Sequence, residues 1–320
     1  MVQKTRRRVL VAGVLASAGL MNSKIANAML SGKVTIALVL KSLADPFTMA
    51  MSSGAQNYQK HFASEFDLTV RSTASQTDTA GQIRIVEELI ASHINAIVLA
   101  PTDSKALVPV VARAIDAGII VIAIDNPLDE SATRAARITV PFVGPDNLKG
   151  AQMVADYLAT KLRPGDEVGI IEGVATDRNA QQRTDGFKEA MDATHIKIAA
   201  IASGDWVYSK GKAAAAVMMA QHPHLRGLLC ANDSIATGAV DAVRNAHRTG
   251  NVYITGYNND AVITPLIATG RILATVDQFP ARQAVFGVDM ALKALNEQTR
   301  QQDLSPYIET PLQLVTGNAR

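Results

Sequence analysis

DSKALVPVVARAIDAGIIVIAIDNP, residues 103–127, is the stretch whose reading decides the fold. Asp103 is an N-cap candidate, Gly118 is a C-terminal stop, and apolar residues recur at helical spacing between them. The run that follows, IIVIAI (119–124), is rich in Ile and Val and apolar on both faces, as a strand of a parallel sheet must be. It then ends abruptly in the polar pair Asp125 and Asn126. A helix delivering the chain into a doubly buried strand is half of a β-α-β unit, and the question is whether the unit repeats.

It does. Strands of the same kind are predicted at VTIALVL (34–40), NAIVLA (95–100), EVGIIE (167–172), IKIAAI (196–201), GLLCA (227–231) and VYITG (252–256). Helical segments lie between them, such as TAGQIRIVEELIASH (79–93), where Ile83, Val86, Leu89 and Ile90 are expected to form one apolar stripe. Strand alternating with helix predicts the α/β class with parallel sheets wound by right-handed crossovers. The roughly 290 residues after position 28 approach the size at which a single core stops growing, so two lobes are expected. VPFVGPDN (140–147) and TVDQFP (275–280) break the alternation and are the expected crossings between them.

Composition narrows the function. The 320 residues carry 31 Lys and Arg against 29 Asp and Glu, a formal net charge of +2, which provides no basic footprint for nucleic acid. Residues 1–28 read as a cleavable signal peptide: KTRRRVL, then the apolar run VLVAGVLASAGLM, then ANA before a cut after Ala28. TRRRVLV also resembles a twin-arginine export signal, with Val9 where that pattern usually has Phe, so both the twin-arginine and Sec routes stay open, each leading to a periplasm-like space. Cys230, in GLLCA, is the sole cysteine, which precludes an internal disulfide and reads as a buried thiol. No later apolar stretch is long enough to cross a membrane, so the mature chain is expected to be soluble. G-x-G-x-x-G, Walker, G-x-S-x-G and H-E-x-x-H motifs are absent, and HPH (222–224) reads as a turn rather than a zinc pair. No catalytic residue, cofactor or metal is expected.

The informative polar residues stand at strand ends, where open α/β sheets bind their ligands. VLKSLADPFTMAM (39–51) places Lys41, Asp45, Pro46 and Phe47 after the first strand. Asp125 and Asn126, Asn232 and Asp233, Asn258 to Asp260, and Asp277 with Gln278 end others. Singly, each is an ordinary turn or cap residue; together they point to a site.

From about residue 33 onward the chain resembles the periplasmic sugar-binding proteins of the ribose, arabinose and galactose type that serve ABC importers. The resemblance is carried by PTDSKAL, VIAIDNP, RTDGF, ANDSIATGAV, ITGYNND and ATVDQFP. It implies the type I periplasmic binding protein fold: two doubly wound parallel-sheet lobes joined by a three-segment hinge, closing on a sugar. The implied lobes are residues 29–143 with 278–308 and residues 144–277 with 309–320. The family's contacts fall on Asp45 and Phe47 in the opening loop, Asp125, Asn126 where the ribose branch has an arginine, Arg183, Trp206, Asn232, Asn258 where the ribose branch has an aspartate, and Gln278. Thr48 stands where the ribose branch has a second aromatic. Lys41 with Asp45, Asn232 and Asn258 looks more like the arabinose branch.

The chemistry of these residues points the same way. A neutral polyol both donates and accepts, so a site for it mixes carboxylates, cations and amides. Asp45 and Asp125 balance Lys41 and Arg183, and Phe47 and Trp206 are suited to cover apolar C–H faces. The expected ligand is a pentose or hexose, with a sugar alcohol or inositol as the alternative. The expected partner is an ABC permease, or, for a sensor module, a chemoreceptor or kinase. The expected state is a monomer. Repressors of the lactose-operon type share the implied core but carry a helix-turn-helix where this chain has its signal.

Overall fold

A computed structural model describes residues 33–317, so the export signal expected over residues 1–28 lies outside the described residues. The chain runs β1 (Val34–Leu40), α1 (Pro46–His61), β2 (Phe66–Ser72), α2 (Thr79–Ala91), β3 (Ala96–Leu99), α3 (Val108–Asp116), β4 (Ile120–Ile124), α4 (Glu130–Ala136) and β5 (Phe142–Gly144). It continues with α5 (Asn147–Ala159), β6 (Glu167–Glu172), α6 (Arg178–Ala193), β7 (Lys197–Ser203), α7 (Tyr208–Gln221), β8 (Leu225–Cys230), α8 (Asp233–Asn245), β9 (Tyr253–Thr255), α9 (Thr264–Ala268) and β10 (Ala274–Asp277). Last come α10 (Pro280–Asn296), β11 (Tyr307–Glu309) and β12 (Gln313–Thr316).

These strands form two six-stranded sheets, ordered β11-β5-β4-β3-β1-β2 and β12-β10-β9-β8-β6-β7. Pairing is parallel except at β12, which enters the second sheet without a crossover helix and runs against β10. The double winding is visible in β1, whose alternate residues feed two cores. Ile36, Leu38 and Leu40 pack with Met51 of α1 and Val288 of α10, while Ala37 and Val39 pack with Val86 of α2 and Val111 of α3. The second sheet is covered likewise by α5 to α8, with Phe187 and Met218 among its fully or almost fully buried side chains. Cys230 lies in this core, free and buried, and burial pushes its thiol up.

Sheet membership changes after β5, after β10 and after β11, so the chain passes between lobes three times. Gly144 still pairs with Glu309 in the first sheet, so two of the crossings fall one residue later than the expected boundaries. The segment VPFVGPDN is not wholly linker, because Phe142–Gly144 is a strand before the chain leaves. β2 escaped the search for doubly apolar runs because only Phe66 in it is fully buried, as befits an edge strand. On α2 the buried face is Gln82, Ile85, Val86 and Leu89; Ile83 and Ile90 sit at its margins.

The packing of α1 on α10 ties the last long segment to the first lobe, and it depends on Gly54. A Cβ there would sit 2.7 Å from the Ala281 Cβ and 2.8 Å from its Cα. Gly54→Ala is expected to lower unfolding stability by about 1–3 kcal/mol despite the better helix propensity of Ala. Urea unfolding of both proteins checks this.

Candidate functional site

The carboxyl ends of the two sheets face each other across a small pocket. Its walls are Lys41, Asp45, Phe47, Asp125, Arg183, Trp206, Asn232, Asn258 and Gln278, joined by Thr48, Gln76 and Asn179. Every residue expected at the site is therefore brought together except Asn126.

The first lobe supplies its wall through the turn into α1. Asp45 is the N-cap, accepting from the Phe47 backbone N–H at 3.0 Å, and Pro46 follows in the first turn, where its missing donor is not needed. This cap holds Phe47 against the pocket with only 6% of its surface exposed. Burial pushes the Asp45 carboxyl up, opposed by the backbone donors of Phe47 and Thr48. The Thr48 hydroxyl turns back onto the carbonyls of Ser42 and Asp45, so the wall beside Phe47 is small and polar. Asp125, with φ 63°, turns out of β4 in the left-handed region.

On the second lobe Arg183 is buried and anchored. Its Nε donates to Asn147 Oδ1 and its Nη1 to the Ala231 carbonyl, both at 2.8 Å, and its guanidinium lies 3.7 Å from the Tyr257 ring centroid. Burial pulls its pKa down, against the attraction of Tyr257 and Asp125. Trp206, at φ 66°, lays its indole over Gly173, where a Cβ would come within 2.1 Å of the ring. Asn232 is both cap and wall: its Oδ1 accepts from Ile235 N at 2.9 Å and its Nδ2 donates to the Trp206 carbonyl at 3.2 Å. Gln278 donates to Asn258 Oδ1 at 2.7 Å and is itself held by Gln283.

Asn126 is a correction. Its Oδ1 accepts from Ser104 Oγ at 3.1 Å and from the Asn179 backbone N–H at 3.2 Å, and its Nδ2 donates to the Pro101 carbonyl at 3.1 Å. The amide oxygen and one of the two Nδ2 hydrogens are engaged by protein partners, and the residue ties the lobes together outside the pocket lining. Sequence reasoning missed Asp177. Lys41 Nζ lies 2.8 Å from Asp177 Oδ2 and 3.7 Å from Asp125 Oδ2, and Trp206 Nε1 donates to the same Asp177 oxygen at 2.8 Å. Lys41 is pushed up: burial works against its charge, and Asp177 and Asp125 outweigh it. The expected balance of two cations and two carboxylates thus omits a third carboxylate behind the wall. Among the described residues no cluster of His, Cys, Asp and Glu is placed to hold a metal.

Behind Asn258 lies a buried carboxyl pair. Asp233 accepts from the Asp260 backbone N–H and from Thr275 Oγ1, both at 2.8 Å, and burial raises it to about 6. Asp260 is raised to about 8, first by burial and then by the charge of Asp233.

Geometry alone gives two lobes with a polar-lined cleft between them. The comparisons identify its family: residues 36–299 match the periplasmic binding protein domain, and the chain belongs to that family. It is 52% identical over 312 residues to the D-ribose/D-allose-binding protein of Pseudomonas aeruginosa, covering 97% of this chain and 98% of that protein. It is 32% identical to the D-allose-binding periplasmic protein of Escherichia coli, over 81% of this chain and 83% of that one. An ABC transporter solute-binding protein of Burkholderia multivorans, with an unknown ligand represented as α-D-erythrofuranose, superposes with a TM-score of 0.87 at 55% identity, over 89% of this chain and 100% of that chain. A solute-binding protein of Actinobacillus succinogenes with bound D-allose gives 0.83 at 31% identity, over 89% and 98%.

The carboxyl pair gives a testable pH dependence. Asp260 takes up a proton on folding, so the stability linked to it is complete below its unfolded pKa and is lost as pH rises through about 8. Urea unfolding at pH 6 and pH 9 is expected to show a fall in stability that is clearly smaller in Asp260→Asn. Equal falls in the two proteins would place the proton elsewhere.

Proposed function

We propose that this protein is a periplasmic solute-binding protein that encloses a neutral aldopyranose of the D-ribose and D-allose type and delivers it to an ABC importer. The observation that carries this reading is the pocket itself. Three carboxylates, Asp45, Asp125 and Asp177, stand at or just behind the wall against the two cations Lys41 and Arg183, so the site has no formal excess of positive charge for a phosphate or carboxylate ligand. The remaining lining mixes donors and acceptors with two aromatic faces, Phe47 and Trp206, as a neutral polyol requires.

D-ribopyranose and D-allopyranose share the configuration of their common hydroxyls, and allose adds a hydroxymethyl group. Thr48, small and turned onto the backbone, leaves room on the wall beside Phe47 for that group, and the names of the relatives support the same pair. The lobes, divided at the crossings that follow Gly144, Asp277 and Glu309, hinge there, and closure forms the surface that a permease reads. The protein works as a monomer and catalyses nothing. Cleavage after Ala28 follows export, so the mature protein isolated from its host should begin at Met29, which N-terminal sequencing checks.

A thermal-shift panel of D-ribose, D-allose, L-arabinose, D-glucose, ribitol and myo-inositol tests the ligand class. A sugar at a hundred times its Kd adds about 2.7 kcal/mol to unfolding. D-allose and D-ribose should raise the midpoint; a shift with ribitol or inositol alone would overturn the aldose assignment. Asp125→Ala and Arg183→Met should each weaken binding by about 2–4 kcal/mol in calorimetry, because each leaves buried partners unsatisfied.

A further inference from the structure

Asp177 stands immediately before α6, where an aspartate ordinarily caps its own helix. Asp45, Asp78, Asp129 and Asp146 all do so in this chain, each accepting from a backbone N–H of the helix that follows. Asp177 makes no such bond. Its carboxylate is turned instead to Lys41, which belongs to the other lobe, at 2.8 Å. The side chain is fully buried and does not line the pocket.

The rest of the turn into α6 also meets the first lobe. Ser104 N donates to the Thr176 carbonyl at 3.4 Å, and the Arg178 backbone N–H donates to Ser104 Oγ at 3.0 Å. The Asn179 backbone N–H donates to Asn126 Oδ1 at 3.2 Å, and Asn179 Nδ2 donates to Asp125 Oδ1 at 3.3 Å. These contacts run between protein groups of the two lobes and need no sugar.

We propose that Asp177 is a closure latch, a positioning residue whose pairing with Lys41 across the seam Thr176–Asn179 holds the lobes shut and sets how long the sugar stays. The proposal rests on the reading that the lobes close on an aldose. When the lobes part, Lys41 and Asp177 both return to water, so the pair exists only in the closed state. A contact made after encounter does not change how fast the sugar arrives; it slows reopening. Removing the Asp177 charge leaves Lys41 in the closed seam with only the more distant Asp125, at 3.7 Å, which shifts the population toward the open form. Because the same Asp177 oxygen accepts from Trp206 Nε1, the latch also sets the orientation of the chain's single tryptophan, a spectroscopic reporter of the seam.

Asp177→Asn separates the two roles, since the amide oxygen still accepts from Trp206 while the charge that pairs with Lys41 is gone. Stopped-flow Trp206 fluorescence with D-allose is expected to show dissociation about 10- to 100-fold faster in Asp177→Asn, with association changed less than about threefold. Ser104→Ala, outside the pocket, is expected to speed dissociation in the same sense by a smaller factor, and it stands in if Asp177→Asn does not fold. In parallel, spin labels at Met49→Cys and Ser209→Cys, exposed in the first turns of α1 and α7, report the sugar-free interlobe distance; Cys230 is buried and stays unlabelled. That distance should lengthen in Asp177→Asn. An unchanged dissociation rate with an unchanged distance overturns the latch, as does an effect confined to association. If the unmodified protein binds neither D-allose nor D-ribose, the aldose reading fails and the sugar-free distances alone decide the latch, lengthening supporting it and constancy overturning it.

Discussion

An ammonium group at the end of a central strand constrains everything around it. Lys41 follows β1 and is 3% exposed, in a place where an isolated charge would be far more costly than the whole fold could offset. It is tolerable only because carboxylates stand within 2.8 and 3.7 Å, and the nearer one belongs to the other lobe. Buried ion pairs add little net stability against an apolar alternative, but they demand a specific arrangement of the elements that carry them. Here the demand is that two sheets, built from interleaved segments of chain, meet at one register.

The topology meets it in a simple way. In the first sheet β1 lies between β3 and β2, and in the second sheet β6 lies between β8 and β7. In each case the chain leaves the strand to one side and later returns on the other, so the loops at the carboxyl end diverge and open a crevice. Lys41 follows β1, and Asp177 lies in the loop that follows β6. The two switch points face each other, and the pocket is the space their crevices share. The residues that line it arrive on loops from equivalent places in both lobes, which is why neither lobe alone makes the site.

Much of this was legible before any coordinates. Doubly apolar strands such as Ile120–Ile124 announce parallel sheets because both faces must be covered, and polar residues at their ends mark the crevice. The edge strand β2 was not legible, since its alternating pattern resembles any half-exposed segment. The site divides in the same way. Phe47, Asp125 and Trp206 could be placed at the pocket because the loops that carry them match the family that the chain resembles. Asp177 could not, because an aspartate before a helix is the ordinary sign of a cap, and only the opposing lobe reveals that its carboxylate is used elsewhere. Asn126 stands apart for the converse reason: beside Asp125 it has every local attribute of a ligand contact, yet its amide is engaged by Ser104, Pro101 and Asn179, partners up to 53 residues away.

The way the walls are held also explains how such a site discriminates. Arg183 is fixed through Nε and Nη1, Trp206 through Gly173 and Asp177, Phe47 through the Asp45 cap, and Gln278 through Gln283. None of these needs to be ordered by the ligand, so little conformational entropy is lost on binding. Fixed donors and acceptors cannot follow a hydroxyl that has moved. An epimer that inverts one hydroxyl leaves at least one buried protein group without its partner, at a cost of about 1–3 kcal/mol, while its own hydroxyl meets a surface shaped for a C–H face. Two sugars that agree at every shared hydroxyl escape that cost, and the group that differs needs only space. A rigid polar wall is therefore strict about stereochemistry and tolerates an added group only where space is left beside it.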